Sequence, residues 1–391
     1  MSKPLLFIHS KSFAIGGSGL ALRTLLAFRA LAATRGDRVC CLAAPDTPQE
    51  RALAQMHGWD FFPLTSYEAR YPGFLRAPLR LSLFWGAVFS TAFRRVLLSM
   101  LGGSDLPAES LAALFERYPG SEVWLARCDL LHLAASVPPA CRIVLDSNDA
   151  VANLVRCYDP RARVRRLSGR SLASVAAMIE REELALAGRC SRIIAISADD
   201  LGYYRRSTCS DVVLEESCLT TPPATAADGT CDVGFIGGNH LGSVQAGRNL
   251  LRLAARPDLA DVRFVVAGSV CEGLVDVPLP ANVTLRGRVA SAPAFLTGCR
   301  QVVFWSERET GTSVKFQEAI LSGTTVLANP PAARWSKALP SRDFLLCLNE
   351  ADLVAHLRAR TVLAPSPLLQ ACSVDAITRR FHGLLTQPAL K

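Results

Sequence analysis

The 391-residue sequence lacks any run of apolar residues long enough to cross a bilayer. No signal peptide is expected either, because Met1-Ser2-Lys3-Pro4 leads directly into a short apolar run. Half of the residues are hydrophobic and 20% are charged, a composition that excludes a disordered chain. We therefore expect a globular protein in the cytoplasm.

The thirteen cysteines lack the spacing of a zinc site or of a disulfide framework. No Cys-x-x-Cys pair occurs, and only Cys40 and Cys41 are adjacent. We interpret the cysteines as small buried hydrophobic residues. No metal ion is expected.

Signatures of nucleic-acid binding are also missing, since there are no paired cysteine and histidine ligands and no aromatic ribonucleoprotein motif. The formal net charge is nevertheless +9, and it comes mainly from arginine. A basic chain favours a partner that carries phosphate groups, such as a nucleotide, an anionic lipid or a nucleic acid. The missing motifs argue against nucleic acid as the partner.

The length of the chain predicts two domains of roughly 200 residues each, because one ordinary core does not grow to this size. The stretch from Glu216 to Cys231 is rich in proline, threonine and alanine and has no hydrophobic periodicity, as in a linker. We place the first domain at residues 1–216, the linker at 217–231, the second domain at 232–372 and a final segment at 373–391.

The first domain opens with a β-α-β unit typical of a Rossmann-like fold. Its predicted elements are a strand from Pro4 to His9, a glycine-rich turn, a helix starting at Leu20 and a strand from Arg38 to Ala43. The turn lacks the spacing of a dinucleotide fingerprint, and no acidic residue ends the second strand. A nicotinamide cofactor is therefore not expected.

The second domain contains the most informative stretch, residues 309–327. An apolar strand from Gln301 to Trp305 is followed by a polar turn, a helix that stops at Gly323 and a strand from Thr325 to Ala328. A glycine-bearing turn that opens onto a helix at the carboxyl end of a strand is where α/β folds bind phosphate. The stretch thus predicts a nucleotide site, although a helix with a surface lysine and glutamate would read the same way.

This stretch also resembles a known family. Thr310-Gly311, Lys315, Glu318-Ala319 and Gly323 before a valine strand are similar to the donor-nucleotide motif of family-4 glycosyltransferases of the GT-B fold. The resemblance implies an α/β fold of two Rossmann-like domains that face each other across a cleft. It also implies that the final helix, in residues 373–391, crosses back onto the first domain.

The resemblance assigns roles in donor binding. It implies that Glu318 binds the ribose hydroxyls and that Lys315 lies near the diphosphate, with a catalytic role. The other implied donor-binding residues are Glu309, Gly311, Thr312, Ser313, Arg288, Gly238 and His240. Two departures stand out: Thr310 replaces a glutamate that touches the donor sugar in many relatives, and no lysine follows the first strand of this domain. His240 or Arg248 would then substitute for that lysine.

On the acceptor side, the resemblance places the loop with Gly16, Gly17 and Ser18 at the floor of the cleft. A tight turn alone would also explain these glycines. A helix with Glu180, Glu182 and Glu183 resembles a glutamate-containing helix of the family. The arginines before it would either form a solvated face or hold an anionic acceptor.

The tetrad Asp146-Ser147-Asn148-Asp149 ends a predicted central strand, so its side chains are expected in the cleft. It resembles the Asp-x-His-Asp of some relatives, with Asn148 in place of histidine. Asp149 is the candidate to orient or deprotonate the acceptor hydroxyl. Alternatively, Asp149 or Asn148 caps the following helix.

Residues 74–101 combine aromatic and aliphatic bulk with arginines and contain no acidic residue. Such a helix can lie in a membrane interface, which would make the protein peripheral at the inner face of the membrane. It can equally pack in the core with its arginines on an exposed edge.

The implied function is transfer of a sugar from a nucleotide-diphosphate sugar to a glycan, lipid-linked or protein acceptor, as in cell-surface glycan synthesis. The sequence has no Asp-x-Asp triplet for a divalent metal, which suits metal-independent transfer, and relatives retain the anomeric configuration. The alternatives are a nucleotide-sugar epimerase and a catalytically silent partner subunit, the latter favoured by Thr310 and Asn148.

Overall fold

The computed structural model describes residues 3–9, 13, 19–34, 36, 38–64, 111–147, 149–157, 169–209, 211–215, 231–239, 241–307, 313–333, 343–364, 379 and 383. The chain divides into two compact units: unit 1 is Met1–Ser217 with Thr378–Lys391, and unit 2 is Cys218–Ile377. The predicted linker at 217–231 and the predicted final helix at 373–391 lie almost wholly outside the described residues, so these boundaries remain predictions.

Unit 1 is built on a seven-stranded sheet in the order β3-β2-β1-β4-β5-β6-β7, and every strand pair is parallel. The strands are β1 Leu5–Ile8, β2 Cys40–Pro45, β3 Asp60–Leu64, β4 Glu122–Leu125, β5 Arg142–Ser147, β6 Arg192–Ala195 and β7 Val212–Leu214. The helices are α1 Gly19–Ala33, α2 Pro48–Met56, α3 Ala112–Arg117, α4 Val151–Cys157, α5 Gly169–Ala187 and α6 Ala198–Tyr204, with a 3-10 helix at Cys128–Ser136.

Unit 2 repeats the arrangement with a six-stranded parallel sheet in the order β10-β9-β8-β11-β12-β13. The strands are β8 Cys231–Ile236, β9 Phe264–Ala267, β10 Val283–Gly287, β11 Cys299–Phe304, β12 Thr325–Ala328 and β13 Leu345–Leu346. The helices are α7 Leu241–Ala254, α8 Ala292–Thr297, α9 Val314–Leu321 and α10 Glu350–Arg358, with 3-10 helices at Pro257–Leu259 and Ser269–Gly273.

Both sheets have the strand order of a doubly wound Rossmann-like fold. The strand order reverses between β1 and β4 in unit 1 and between β8 and β11 in unit 2. In such sheets ligands bind beyond the carboxyl ends of the strands, near this reversal. The predicted α/β class with two Rossmann-like units is confirmed, and each unit has one sheet edge where a site is expected.

Aromatic packing fixes the elements that matter for those edges. In unit 1, Phe7 on β1 lies 5.4 Å from Phe28 on α1 and 6.5 Å from Trp124 on β4, measured between ring centroids. In unit 2, Phe316 on α9 lies 5.1 Å from Phe304 and 5.3 Å from Phe344. These contacts hold α1 and α9 against the two central sheets.

None of the helices among the described residues is long and apolar enough to span a bilayer. Residues 74–101, for which the sequence leaves a membrane interface and a core position open, lie outside the described ranges.

Candidate functional site

The predicted ribose ligand Glu318 and the predicted diphosphate ligand Lys315 lie on α9, which follows β11 at the carboxyl edge of the unit 2 sheet. The Lys315 Nζ atom lies 2.5 Å from Glu318 Oε2. The Glu318 side chain is 6% exposed, whereas that of Lys315 is 30% exposed. One turn of helix therefore presents a buried carboxylate beside an ammonium group that reaches solvent.

The start of α9 is suited to an anion. Ser313 occupies the N-cap position, and its side chain makes no capping hydrogen bond. The first amides of an α-helix have no partner within the helix and carry the positive end of its dipole. With Lys315 in the first turn, this helix end combines amide donors and a full positive charge, as a phosphate group requires.

The turn after β8, which contains the predicted residue Gly238, packs tightly against the turn after β9. The Val270 amide donates to Gly237 O at 3.1 Å. Gly268 has a φ of 92°, and a Cβ atom there would lie 2.2 Å from Gly237 O, so only glycine fits. Gly268 was not among the predicted site residues, although a glycine directly after a buried strand is a recognisable signal.

Arg288, predicted to contact the donor, follows β10 at the same edge. Its Nε and Nη2 atoms each lie 3.3 Å from Glu272 Oε1, and Asn239 Nδ2 donates to Glu272 Oε2 at 3.2 Å. Glu272 thus connects the turns that follow β8 and β10. The Arg288 side chain is 79% exposed, and its contact with the donor stays a prediction.

In unit 1, Asp146 lies near the end of β5 but is buried rather than open. Arg23 on α1 donates to Asp146 Oδ1 through Nε at 3.2 Å and through Nη2 at 2.7 Å. Arg23 Nη1 also donates to Glu215 O at 2.9 Å. Burial raises the pKa of the Asp146 carboxyl, and Arg23 opposes that rise. Asp146 therefore ties α1 to β5, and its expected role towards the acceptor is untested.

Asp149 follows β5 and precedes α4, on a backbone segment that is held firmly. The Ala150 amide donates to Asp200 Oδ1 at 3.1 Å. The amides of Val151 and Ala152 donate to the two carboxylate oxygens of Glu183 at 2.8 and 3.0 Å. Two distant carboxylates thus bind the three amides that follow Asp149, a capping task that the sequence analysis gave to Asp149 or Asn148. The catalytic role of Asp149 remains a prediction.

Glu183 is the centre of this arrangement. Its carboxylate also accepts the hydroxyls of Tyr203 at 2.7 Å and Tyr204 at 3.1 Å, and the residue is fully buried. Burial raises the pKa of Glu183, and the four donors oppose that rise. Glu180, one turn earlier on α5, instead pairs with Arg156 and Arg206. The resemblance indicated this helix, and the structure gives its two glutamates different partners: backbone amides and tyrosines for Glu183, and arginines for Glu180.

A charged group after β4 was missed by the sequence analysis. Arg127 Nε donates to Asp129 Oδ1 at 2.8 Å, and both side chains are buried. The His132 Nδ1 atom lies 2.7 Å from Asp129 O. Charged residues directly after a buried strand were the available signal, because strand ends of a parallel sheet share one edge.

The structure brings Ser313, Lys315 and Glu318 together at one helix end, and it places Asp146 and Asp149 at the end of one strand. The remaining predicted site residues lie outside the described ranges: Gly16, Gly17, Ser18, Asn148, His240, Glu309, Gly311 and Thr312. Within the described ranges, no three histidine, cysteine, aspartate or glutamate side chains are grouped as metal ligands.

Comparison with known proteins gives a match at the level of structure. No family model matches the sequence, and no curated protein matches it. Anabaena HepE in complex with UDP and glucose is similar, with 15% identity, a TM-score of 0.58 and coverage of 99% of this chain and 100% of that one. Sucrose-phosphate synthase from Thermosynechococcus elongatus is similar, with 13% identity, a TM-score of 0.61 and 98% coverage of both chains.

The chain has the GT-B fold. A glycosyltransferase from Rickettsia africae ESF-5 also matches, with 8% identity, a TM-score of 0.52 and coverage of 99% and 100%. The GT-B fold expected from the stretch at 309–327 is thereby confirmed. Identities this low establish a shared GT-B fold and no shared activity.

Proposed function

We propose that the protein is a glycosyltransferase that moves a sugar from a nucleoside-diphosphate sugar to an acceptor hydroxyl. The observation that carries the proposal is the Lys315–Glu318 pair at the start of α9, at the carboxyl edge of a Rossmann-like sheet. The fold supports it, because the similar HepE structures hold UDP with glucose or UDP-glucose. A uridine diphosphate sugar is therefore the first donor to test.

In this proposal Glu318 accepts hydrogen bonds from the vicinal hydroxyls of the ribose. A carboxylate has enough acceptor sites for two hydroxyls while it also receives a lysine. The Lys315 ammonium and the amides at the start of α9 face the diphosphate. Positive charge fixed there stabilises the negative charge that develops on the β-phosphate as the sugar leaves.

The finer features are proposed as well. Stabilisation by Lys315 and the helix end supports transfer without a metal cofactor. Retention of the anomeric configuration is proposed from the resemblance of residues 309–327 to family-4 enzymes. Asp149, on the segment held by Glu183 and Asp200, orients or deprotonates the acceptor hydroxyl. The acceptor is a glycan, a lipid-linked sugar or a protein, and residues 74–101 provide peripheral contact with a membrane surface.

Donor binding is tested by calorimetric titration with UDP, ADP, GDP and CDP. We expect one diphosphate to bind and Glu318→Gln to weaken it by about 10–100-fold, because hydrogen bonds to a charged group contribute about 1.5–3 kcal/mol. Asp232→Asn is the matched control. Asp232 is 8% exposed and pairs with Arg263, but it lies at the amino end of β8, away from the site. Equal losses in both variants, or no binding in the wild type, would contradict the proposal.

Transfer is tested by release of UDP from UDP-sugars, with and without a chelator, in the wild type and in Asp149→Asn. We expect release in the wild type to continue with the chelator present and to fall in the variant. Binding of the diphosphate without any release would favour the silent partner subunit.

A further inference from the structure

Another polar side chain at the carboxyl edge of the unit 2 sheet, that of Asn329, lies outside the stretch 309–327. Asn329 is the first residue after β12, and β12 pairs with β11 up to Phe304 and Ala328. Asn329 Nδ2 donates to Ser306 O at 2.7 Å, and the Ser306 amide donates to Asn329 Oδ1 at 3.2 Å. The side-chain amide therefore extends the ladder between β11 and β12 beyond the last paired residues.

Asn329 also fixes the turn that follows it in the chain. The Ala332 amide donates to the side-chain Oδ1 of Asn329 at 3.3 Å, and the Ala333 amide donates to the backbone carbonyl of Asn329 at 3.0 Å. Asn329 is 8% exposed and Ser306 is 4% exposed. A buried backbone amide and carbonyl need partners, and a primary amide supplies a donor and an acceptor at once.

Residues 307–312 connect Ser306 to Ser313, the N-cap of α9. Asn329 fixes the chain at Ser306, where it leaves β11. The packing of Phe316 on Phe304 fixes α9, the helix that begins after Ser313. The connection contains the Thr310-Gly311 part of the donor motif.

We propose that Asn329 is a positioning residue for the donor. By clamping both backbone groups of Ser306, it fixes the chain where it leaves β11 for the N-cap of α9, where the diphosphate binds. The inference rests on the proposed function. It adds a residue that does not itself touch the donor.

The chain contains a matched control in Asn282. Its Nδ2 atom donates to the carbonyls of Ala254, Leu259 and Val262 at 3.1, 2.9 and 3.1 Å. Asn282 is therefore also an asparagine clamp of unit 2, but it precedes β10 and lies at the amino edge of the sheet. Loss of either asparagine should lower the stability of the folded chain, and only loss of Asn329 should weaken the affinity for the donor.

The experiment measures thermal midpoints and the affinity for UDP, or for the diphosphate that the wild type binds, in the full chain. We expect Asn282→Ala to lower the midpoint and leave the dissociation constant within twofold of wild type. We expect Asn329→Ala to raise the dissociation constant at least tenfold at a temperature where both variants are folded. If the wild type binds the diphosphate and Asn329→Ala binds it with unchanged affinity, the inference about Asn329 is overturned and the proposed function stands.

Asn329→Asp provides a second readout that a purely structural role would not show. An ionised carboxylate there faces the Ser306 carbonyl and cannot donate to it, whereas the protonated form can. Relative to wild type at the same pH, the affinity of Asn329→Asp should recover on acidification, and that of Asn329→Ala should not. Parallel behaviour of the two variants would count against the clamp. A wild type that binds no diphosphate would overturn the proposed function and this inference together.

Discussion

The two units hold their functional edges with different chemistry. In unit 1 the chain at the carboxyl edge is fixed by buried ionisable groups: the Arg23–Asp146 pair and the carboxylates of Glu183 and Asp200. In unit 2 the corresponding backbone is fixed by the neutral side chain of Asn329. The chain that follows the strand is therefore held by buried ionisable groups at these points of unit 1 and by a buried neutral amide after β11 in unit 2.

This difference has an energetic consequence. A buried charge that loses its partner is left in a poorly polarisable environment, whereas a neutral amide that is lost leaves only unsatisfied dipoles. Substitutions at the edge of unit 1 should therefore cost more stability than substitutions at the edge of unit 2. The buried carboxylates of unit 1 should also make the stability of that unit depend on pH.

The largest effect is expected for Arg23→Met. It leaves the Asp146 carboxylate buried without its cation, and breaking such a pair costs about 3–5 kcal/mol. Amide hydrogen exchange in β5 and β1 measures the loss in the full chain. In the double variant Arg23→Met with Asp146→Leu the uncompensated charge is gone, so most of the protection should return. If the double variant is as unstable as the single one, charge is not the reason for the difference between the units.

A smaller loss is expected for Glu183→Gln. An amide has one oxygen where the carboxylate has two, so at least one donor among the amides of Val151 and Ala152 and the two tyrosine hydroxyls loses its acceptor. An unsatisfied buried donor costs about 1–3 kcal/mol. Denaturant unfolding measures the loss, with Glu180→Gln on the same helix as the control.

The Glu180 control should cost less than about 1 kcal/mol, because the arginines that pair with it are exposed and such pairs contribute little. Equal losses for Glu180→Gln and Glu183→Gln would remove the distinction between the surface pair and the buried carboxylate.

The smallest effect is the response to pH. Burial raises the pKa of Glu183 and of Asp200. A carboxyl with a raised pKa in the folded chain stabilises it fully below the ordinary pKa, and this contribution is lost as the pH rises through the raised value. Unit 1 should therefore gain protection relative to unit 2 as the pH falls from about 7 towards 4.5, the ordinary value for glutamate.

Hydrogen exchange, corrected for the intrinsic pH dependence of the exchange rates, compares β5 with β9 over this range. A parallel response of the two strands would mean that the buried carboxylates of unit 1 do not titrate differently on folding.

Strand positions could be predicted closely from the sequence. The strand expected from Pro4 to His9 is Leu5–Ile8, and the one expected from Gln301 to Trp305 is Cys299–Phe304. Leu5–Ile8 and residues 302–304 of β11 are apolar because both faces of a parallel sheet are covered by helices. The place of Glu318 on the helix after β11 was also predictable, because the sequence from strand to turn to helix is set by residues close together in the chain.

Partners of the polar side chains could not be predicted in this way. Asp146 was expected to face a ligand, a role that stays a prediction, and its partner in the structure, Arg23, lies 123 residues earlier in the chain. Asn329 carried no motif, and its significance depends on Ser306 across the sheet. In both cases the deciding contact joins residues far apart in sequence.

The sequence by itself determined the α/β alternation, the two Rossmann-like units and the helix that presents Lys315 and Glu318, because hydrophobic periodicity and turn residues act over a few positions. Only the tertiary structure decided that Glu183 caps α4, that Arg23 neutralises Asp146 and that Asn329 clamps Ser306. Such hydrogen bonds form where folding removes water from groups that the chain order keeps apart, and no local pattern records which groups will meet.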